Sequence, residues 1–314
     1  MTRRVLITCP QLQSSIDDYC HIFVENDIEI EMPTVVQQLT ETQLLEIIEP
    51  FDGVIAGDDE FTGRVLEKAK NLKVIARWGI GVDGVDLTAA EGLGIRVSNT
   101  PNAFEDEAAD VVMGYIVLLA RQLHRLNQAV RDGGWPKIQG VSLRGKTLGV
   151  IGVGSIGQGV VRRAVAAGMV VLGHDVATVP AVVVKATGLR VVEFDELLRA
   201  SDFISLNCNL TDSNRHMLGP REFALMRAGV YVINTARGPL IDEAALAQAL
   251  DEGQVAGAAL DVFEVEPLPL DSPLRHFDQC IFGTHNTSNT QEAVVRVNQL
   301  AIANLLDGLR TAPS

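Results

Sequence analysis

A hydrophobic strand in the middle of the sequence runs into a glycine-rich loop that could hold a dinucleotide. Residues 148–157 read Leu-Gly-Val-Ile-Gly-Val-Gly-Ser-Ile-Gly, and a helical pattern follows over 158–167. In such a strand–turn–helix, Gly152 permits the tight turn, Gly154 lets the backbone approach a pyrophosphate and Gly157 lets the helix pack closely on the strand. The amides at the start of the helix then face the phosphates. This spacing predicts a dinucleotide-binding loop.

An acidic residue in the next predicted strand–helix unit indicates which dinucleotide is bound. Asp175 lies at the end of the strand predicted over 170–174. A carboxylate there can accept hydrogen bonds from a ribose diol and repels a 2′-phosphate. Residues 176–178 offer no arginine or lysine that could pair with such a phosphate. The sequence therefore predicts NAD rather than NADP. The alternative is a glycine-rich turn followed by an incidental aspartate.

Three later predicted strands end in polar residues that a hydride-transfer site would need. Arg237 follows the strand at 231–234, Glu266 follows the strand at 256–261, and His285 follows the strand at 280–283. Open α/β sheets bind ligands at the carboxyl ends of their strands, and a guanidinium can hold a carboxylate through two parallel hydrogen bonds. Taken singly, these residues could be a surface ion pair, a solvated loop charge and a helix-capping histidine. Their common placement after one dinucleotide loop favours a shared site.

These residues need two α/β sheets to position them. Short β-branched runs alternate with helical patterns in the first hundred residues, with strands predicted at 4–8, 52–56, 74–77 and 94–98. Six strands at similar spacing follow from residue 146, at 147–151, 170–174, 203–206, 231–234, 256–261 and 280–283. We expect a doubly wound parallel sheet there. Long helical patterns cover 107–130, predicted to be a buried helix, and 290–309.

Composition excludes several classes of protein. The 314 residues are 47% hydrophobic and carry 26 basic against 40 acidic side chains, for a net charge of −14. This charge repels nucleic acid and anionic lipid. The apolar runs are too short for a membrane span or a signal peptide, so we expect a cytoplasmic protein. The four cysteines have no zinc-site or dithiol spacing, and no metal is expected.

At this point the sequence resembles the D-isomer-specific 2-hydroxyacid dehydrogenase family, and the resemblance runs over nearly the whole chain. Besides the glycine loop, the segments that carry it are 80–86, 99–101, 143–149, 234–238, 242–246, 260–263, 266–267, His285 and 290–293. The family fold implies a smaller, discontinuous, flavodoxin-like substrate domain, residues 1–98 with 287–314, and a Rossmann NAD-binding domain, residues 99–286.

The resemblance implies roles for the three polar residues. Arg237 would bind the substrate carboxylate and carbonyl, His285 would be the general acid/base, and Glu266 would be its carboxylate partner. Elementary chemistry agrees, because hydride delivered to a 2-oxo carbon leaves an alkoxide that must be protonated, and histidine suits this near neutral pH. A neighbouring carboxylate favours the imidazolium form, which keeps the acid loaded for reduction.

The resemblance also implies contacts with cofactor and substrate. Ser155 and Ile156 would meet the pyrophosphate, and Asp261 would meet the nicotinamide carboxamide. Thr235, Ala236, Arg237 and His285 would adjoin the cofactor. Backbone amides of the turn Gly79, Ile80 and Gly81 would meet the substrate carboxylate; a plain strand-to-helix connection is the alternative for that turn.

Further expectations concern assembly and substrate. The 107–130 region resembles the family's dimer-forming arm, which predicts a homodimer. The sequence ends at Ser314, so the serine-sensing domain of longer phosphoglycerate dehydrogenases is not expected. Asp58, Asp59 and Glu60 occupy a loop where phosphoglycerate-oxidising relatives tend to offer arginine, which predicts repulsion of a phosphorylated acid unless Arg77 turns inward. An NAD(H)-sensing, corepressor-like protein and a formate or phosphite oxidoreductase remain as alternatives.

Overall fold

The structure, a computed structural model, describes residues 2–311. Its strands are β1 (Arg3–Ile7), β2 (Ile28–Glu31), β3 (Gly53–Ala56), β4 (Val74–Arg77), β5 (Arg96–Ser98), β6 (Thr147–Ile151), β7 (Val170–His174), β8 (Arg190–Val191), β9 (Phe203–Leu206), β10 (Val230–Asn234), β11 (Val255–Leu260) and β12 (Cys280–Phe282). Its helices are α1 (Pro10–Gln13), α2 (Cys20–Glu25), α3 (Glu41–Ile47), α4 (Gly63–Lys68), α5 (Leu87–Gly92), α6 (Glu105–Arg121), α7 (Leu123–Arg131), α8 (Ser155–Ala166), α9 (Ala181–Thr187), α10 (Phe194–Ala200), α11 (Pro220–Leu225), α12 (Glu243–Asp251) and α13 (Gln291–Thr311).

The chain divides into two compact units, residues 1–103 with 289–314 and residues 104–288. The sequence-based domain boundaries stand at 98/99 and 286/287. The substrate domain predicted from the sequence includes residue 1 and residues 312–314, which lie outside the described residues.

The first unit is built on a five-stranded sheet in the order β2-β1-β3-β4-β5, and every pair is parallel. This is the flavodoxin-like order. Strands β3 and β4 are fully buried, as expected when helices cover both faces of a parallel sheet, and Arg77 is the only charged residue in these two strands. Helix α13 packs against β3 and β4, so the closing segment of the chain joins the unit that contains its beginning.

The second unit is built on a seven-stranded parallel sheet in the order β12-β11-β10-β9-β6-β7-β8. Counted within the unit, this is the doubly wound order 3-2-1-4-5-6 with a seventh strand added at the far edge. Helices α6 and α8 pack together on one face, and α12 packs against β11. The sheet order changes direction between β6 and β9, which places a ligand-binding edge at the carboxyl end of β6.

The predicted fold class is confirmed, and the predicted strands at 74–77, 147–151, 170–174 and 203–206 have the observed bounds. Two edge strands were not predicted. Strand β2 reads Ile-Glu-Ile-Glu with exposed glutamates, and β8 has only two residues, both exposed. Short polar edge strands carry too little apolar pattern to be recognised.

The prediction of one buried helix over 107–130 is wrong. Helix α6 ends at Arg121, and Gln122 adopts a left-handed conformation with φ +49° before α7 begins. The Gln122 N–H still caps α6 by donating to the carbonyls of Leu118 and Leu119. None of the nine residues of α7 is buried. The apolar periodicity continues across Gln122, so the sequence pattern did not reveal that a single left-handed residue interrupts the helix.

Within residues 2–311, none of the helices is both long and apolar enough to cross a bilayer.

Candidate active site

The glycine loop forms the turn from β6 into α8. Gly152 has φ +88°, a left-handed conformation that glycine adopts without strain, and Gly154 is the N-cap of α8. A side chain at Gly157 would collide with the carbonyl of Gly152, so only glycine lets the helix start this close to the strand. Among the described residues, nothing lies within 4 Å of the position that a Cβ on Gly154 would take. This open cradle at a helix N-terminus fits a pyrophosphate over Ser155 and Ile156.

Asp175 lies beside this loop at the end of β7. One carboxylate oxygen accepts the Val153 N–H at 2.7 Å, and the other accepts the Ala177 N–H at 2.8 Å. These bonds hold the carboxylate at the edge of the glycine loop, where a ribose diol would reach it. The residues present therefore fit NAD.

Strands β10, β11 and β12 end at matching register positions on the same edge. Asn234 pairs with Leu260, which pairs with Phe282. The three loops that follow carry Arg237, Glu266 and His285, so adjacent parallel strands deliver all three residues to one side of the sheet.

The turn that carries Arg237 is held by a buried asparagine. Asn234 donates from Nδ2 to the Arg237 carbonyl at 2.8 Å and accepts the Ala236 N–H at 3.0 Å. Thr235, Ala236 and Arg237 are partly buried. Asn234 was not among the predicted site residues, although a polar residue at the end of a buried strand was the available signal.

His285 and Glu266 form a close pair. The imidazole Nδ1 lies 2.8 Å from Glu266 Oε2, while Glu266 Oε1 accepts the Phe263 N–H at 2.9 Å. The His285 backbone has φ +53°, and its N–H donates to the Asp261 carbonyl at 2.7 Å. The two side chains are 22% and 15% exposed, which shields the pair from bulk water but leaves part of the imidazole accessible to a ligand.

Asp261 is buried beneath this pair. Its carboxylate accepts the N–H of Thr287 at 2.8 Å and also the Thr287 hydroxyl, and Tyr115 Oη lies 3.5 Å from its other oxygen. Burial and the neighbouring Asp261 raise the pKa of Tyr115, which keeps the phenol protonated as a donor. The predicted contact of Asp261 with a nicotinamide carboxamide stays a prediction. Thr287 and Tyr115 were missed, since no motif marks a donor that is distant in sequence.

The turn at 79–81 belongs to the first unit. The Gly79 N–H donates to Thr100 Oγ1 at 3.1 Å, and Asn99 Nδ2 donates to the Ile80 carbonyl at 2.7 Å. The Gly79 amide is therefore engaged within its own unit. The predicted capture of a carboxylate stays a prediction and now depends on the amides of Ile80 and Gly81.

Comparison with known proteins gives consistent matches. The family described as D-isomer specific 2-hydroxyacid dehydrogenase, NAD binding domain, matches residues 113–287. A D-3-phosphoglycerate dehydrogenase of Methanocaldococcus jannaschii is 41% identical over 294 residues, which cover 92% of this chain but only 54% of that protein. A hydroxypyruvate reductase of Thermotoga maritima is 40% identical over 273 residues, which cover 85% of this chain and 88% of that protein.

A solved structure is also similar over the full chain. The D-lactate dehydrogenase of Aquifex aeolicus, complexed with NAD and lactic acid, is 27% identical with a TM-score of 0.86. The alignment covers 99% of this chain and 100% of that one.

Proposed function

Because this chain belongs to the D-isomer specific 2-hydroxyacid dehydrogenase family and has NAD as its cofactor, we propose that it interconverts a D-2-hydroxy acid and its 2-oxo acid. The observation that carries the proposal is the His285–Glu266 pair at 2.8 Å on the same sheet edge as Arg237. A paired imidazole can move a proton, and a guanidinium can hold a carboxylate. A site that reduces a 2-oxo acid by hydride transfer needs both a group that protonates the resulting alkoxide and a group that binds the carboxylate.

Three residues of the chain have separate roles in the proposed reaction. NAD, when bound, accepts or supplies the hydride. Arg237 binds the substrate carboxylate and carbonyl and stabilises negative charge that develops on the oxygen. In the reducing direction His285 donates a proton from Nε2 to that oxygen, and in the oxidising direction it removes the hydroxyl proton. Glu266 orients the ring through Nδ1 and favours its charged form.

For the substrate, we propose an unphosphorylated acid. In the first unit the Arg77 guanidinium donates to the Asp58 carboxylate and to the Trp78 carbonyl, and it lies against Gly79. Arg77 is almost fully buried, and its charge is offset by Asp58. The neighbouring Glu60 is a further acidic residue, whereas Asp59 is buried, accepts the Leu39 and Gly57 N–H groups and has its pKa raised by burial. A phosphate group would therefore meet little net positive charge at this edge.

For the partner, we propose a second copy of this chain, bound through the α6–α7 region. Leu123 and Val130 on α7 are 39% and 49% exposed, and Trp135 beyond it is 77% exposed. Exposed apolar side chains on and beside a helix that has no buried residue support burial of this region against a second copy.

The experiment that tests the function is cofactor oxidation by the purified protein. NADH, and separately NADPH, is offered with glyoxylate, hydroxypyruvate, pyruvate, 2-oxoglutarate and 3-phosphohydroxypyruvate. We expect turnover of an unphosphorylated acid with NADH. Preference for the phosphorylated acid would overturn the substrate proposal. Tight NADH binding without turnover of any of the acids would favour the sensing role over the enzyme.

A further inference from the structure

Two carboxylates outside the Arg237, Glu266 and His285 trio accept each other's backbone N–H. The Glu243 N–H donates to Glu264 Oε1 at 2.9 Å, and the Glu264 N–H donates to Glu243 Oε1 at 2.6 Å. Both bonds are partly buried. A reciprocal pair of this kind fixes two backbone segments to each other at two points, as a capping box does within one helix.

The segments joined in this way are the ones that carry the proposed catalytic groups. Glu243 is the first residue of α12 and directly follows the turn 237–242, which begins with Arg237. Glu264 lies in the loop 261–267, which carries Glu266. The backbones of the two segments touch, because a side chain at Gly238 would collide with the carbonyl of Phe263.

A third segment extends the contact. His216 Nε2 lies 3.0 Å from Glu264 Oε2, so both carboxylate oxygens of Glu264 are engaged. The His216 N–H donates to the Pro239 carbonyl at 2.7 Å, and Leu218 bridges to Ile241. Residues 216–218 therefore bind the Arg237 turn through backbone bonds and the Glu266 loop through a side chain.

The arrangement is costly for stability alone. Burial raises the pKa of Glu243, and the charges of Glu264 and Glu266 act in the same direction. Three carboxylates on neighbouring loops repel one another, and this repulsion opposes the stabilisation that the two backbone N–H bonds provide.

We propose that Glu243 and Glu264 are positioning residues that hold the Arg237 turn and the Glu266 loop at a fixed spacing. A substrate carbonyl can then meet Arg237 and the His285 that Glu266 orients at the same time. The inference rests on the proposed function for its effect on catalysis. A misplacement of about 1 Å between catalytic groups can lower a rate by roughly a hundredfold.

The test uses five variants of the full chain: Glu243→Ala, Glu264→Ala, the double alanine variant, Glu243→Gln and, as a matched control, Glu252→Gln. Glu252 is an exposed residue at the far end of the same helix, where its carboxylate accepts a hydrogen bond from Gln248 Nε2 at 2.8 Å. The measurements are kcat and KM for the best 2-oxo acid, the NADH dissociation constant by fluorescence, and Tm.

We expect each alanine variant to lose about 10- to 100-fold in kcat, with NADH affinity within about twofold of wild type. Because the pair acts as one unit, the double variant loses no more than the worse single variant. Glu243→Gln keeps an oxygen acceptor for the Glu264 N–H and regains most of kcat, and Glu252→Gln behaves as wild type.

The proposal is overturned if both alanine variants keep kcat within about twofold, if their losses multiply in the double variant, or if Gln gives no rescue. Loss of NADH affinity and Tm in step with kcat would equally reduce the pair to a stability role. Hydrogen exchange separates this proposal from the proposed function. If the wild type turns over no acid, the proposed function is refuted. Faster exchange across 237–242 and 261–267 in Glu243→Ala would still support the proposal that the pair fixes the spacing of these two segments, and unchanged exchange would refute it.

Discussion

Nδ1 of His285 lies 2.8 Å from Oε2 of Glu266, and the second oxygen of Glu266 is fixed by the Phe263 N–H. An ionised carboxylate can only accept hydrogen bonds, so Nδ1 carries the shared proton. This leaves Nε2 as the ring atom that can exchange a proton with a substrate. In the proposed mechanism, the pair orients the imidazole and leaves Nε2 as the atom that exchanges a proton with the substrate.

Replacement of His285 is expected to remove the acid/base step while cofactor binding survives. His285→Asn keeps a polar side chain of similar width but cannot move a proton at neutral pH, so kcat should fall by about 10²- to 10⁴-fold. NADH affinity is measured by fluorescence in parallel. His276→Gln, at an exposed position after β11, is the control and should keep full activity. Unchanged turnover in His285→Asn would refute the assignment.

Replacement of Asp175 is expected to change the choice of cofactor. Asp175→Ser removes the charge that repels a 2′-phosphate and the acceptor for a ribose diol, so the ratio of kcat/KM for NADH over NADPH should fall at least about tenfold. The readout is steady-state kinetics with both cofactors. Asp251→Asn removes the same charge from the exposed end of α12 and should leave the ratio unchanged. A constant ratio in Asp175→Ser would contradict the role given to this residue.

Replacement of Asp58 is expected to widen the range of substrates. Asp58→Asn leaves the Arg77 charge without its main counter-charge, so kcat/KM for 3-phosphohydroxypyruvate relative to hydroxypyruvate should rise by roughly tenfold, equivalent to about 1.4 kcal/mol. Asp17→Asn, an exposed carboxylate of the same unit, is the control for net charge. If both variants keep the wild-type ratio, the Arg77–Asp58 pair does not govern phosphate exclusion.

Charge placed on α7 is expected to separate the proposed homodimer. Val130→Asp puts a carboxylate in the middle of an apolar contact and should shift the light-scattering mass from that of two chains to that of one. Val182→Asp makes the same change at an exposed position on α9 and should leave the mass at two chains. A wild-type mass near one chain would show that α7 is not an interface.

Stability is expected to fall at alkaline pH because of a buried thiol. Burial raises the pKa of Cys9 to about 12, whereas a cysteine thiol in an unfolded chain has a pKa of about 8.5. The folded state therefore holds a proton that the unfolded chain releases. This contribution is complete below about pH 8.5 and is lost as pH rises toward 12, at up to about 1.4 kcal/mol per pH unit.

Urea unfolding at pH 8, 9 and 10 checks this dependence. Cys9→Ala lowers the free energy of unfolding at every pH through its cavity, but its slope against pH should be shallower than that of wild type. Cys20→Ala, at a partly exposed position, serves as the control and should keep the wild-type slope. Equal slopes in all three proteins would contradict the prediction.

The glycine loop and the strands that lead to the site could be predicted from local sequence patterns. Gly152, Gly154 and Gly157 are required by backbone conformation and close approach, so their spacing, together with the flanking strand and helix patterns, placed the loop correctly between β6 and α8. The strand leading to Arg237 was recognisable because it is a largely buried apolar run, and the strand leading to His285 because it is a short apolar run that begins at the buried Cys280.

Contacts between distant segments could not be predicted in this way. The bonds from Tyr115 and Thr287 to Asp261, and those between Glu243 and Glu264, depend on how whole loops stack. The break at Gln122 was equally hidden, since a non-glycine residue in the left-handed conformation leaves no compositional signal.

The matching ends of β10, β11 and β12 separate the proposed proton-transfer groups in the sequence from the residues proposed to select the substrate. Every group proposed to move the proton or bind the carbonyl lies between residues 234 and 287, on loops that follow three adjacent strands. In the proposed mechanism, substitutions around Arg77 and Asp58 would change which acid is accepted without altering the groups that move the proton, so substrate specificity and acid/base chemistry could change independently.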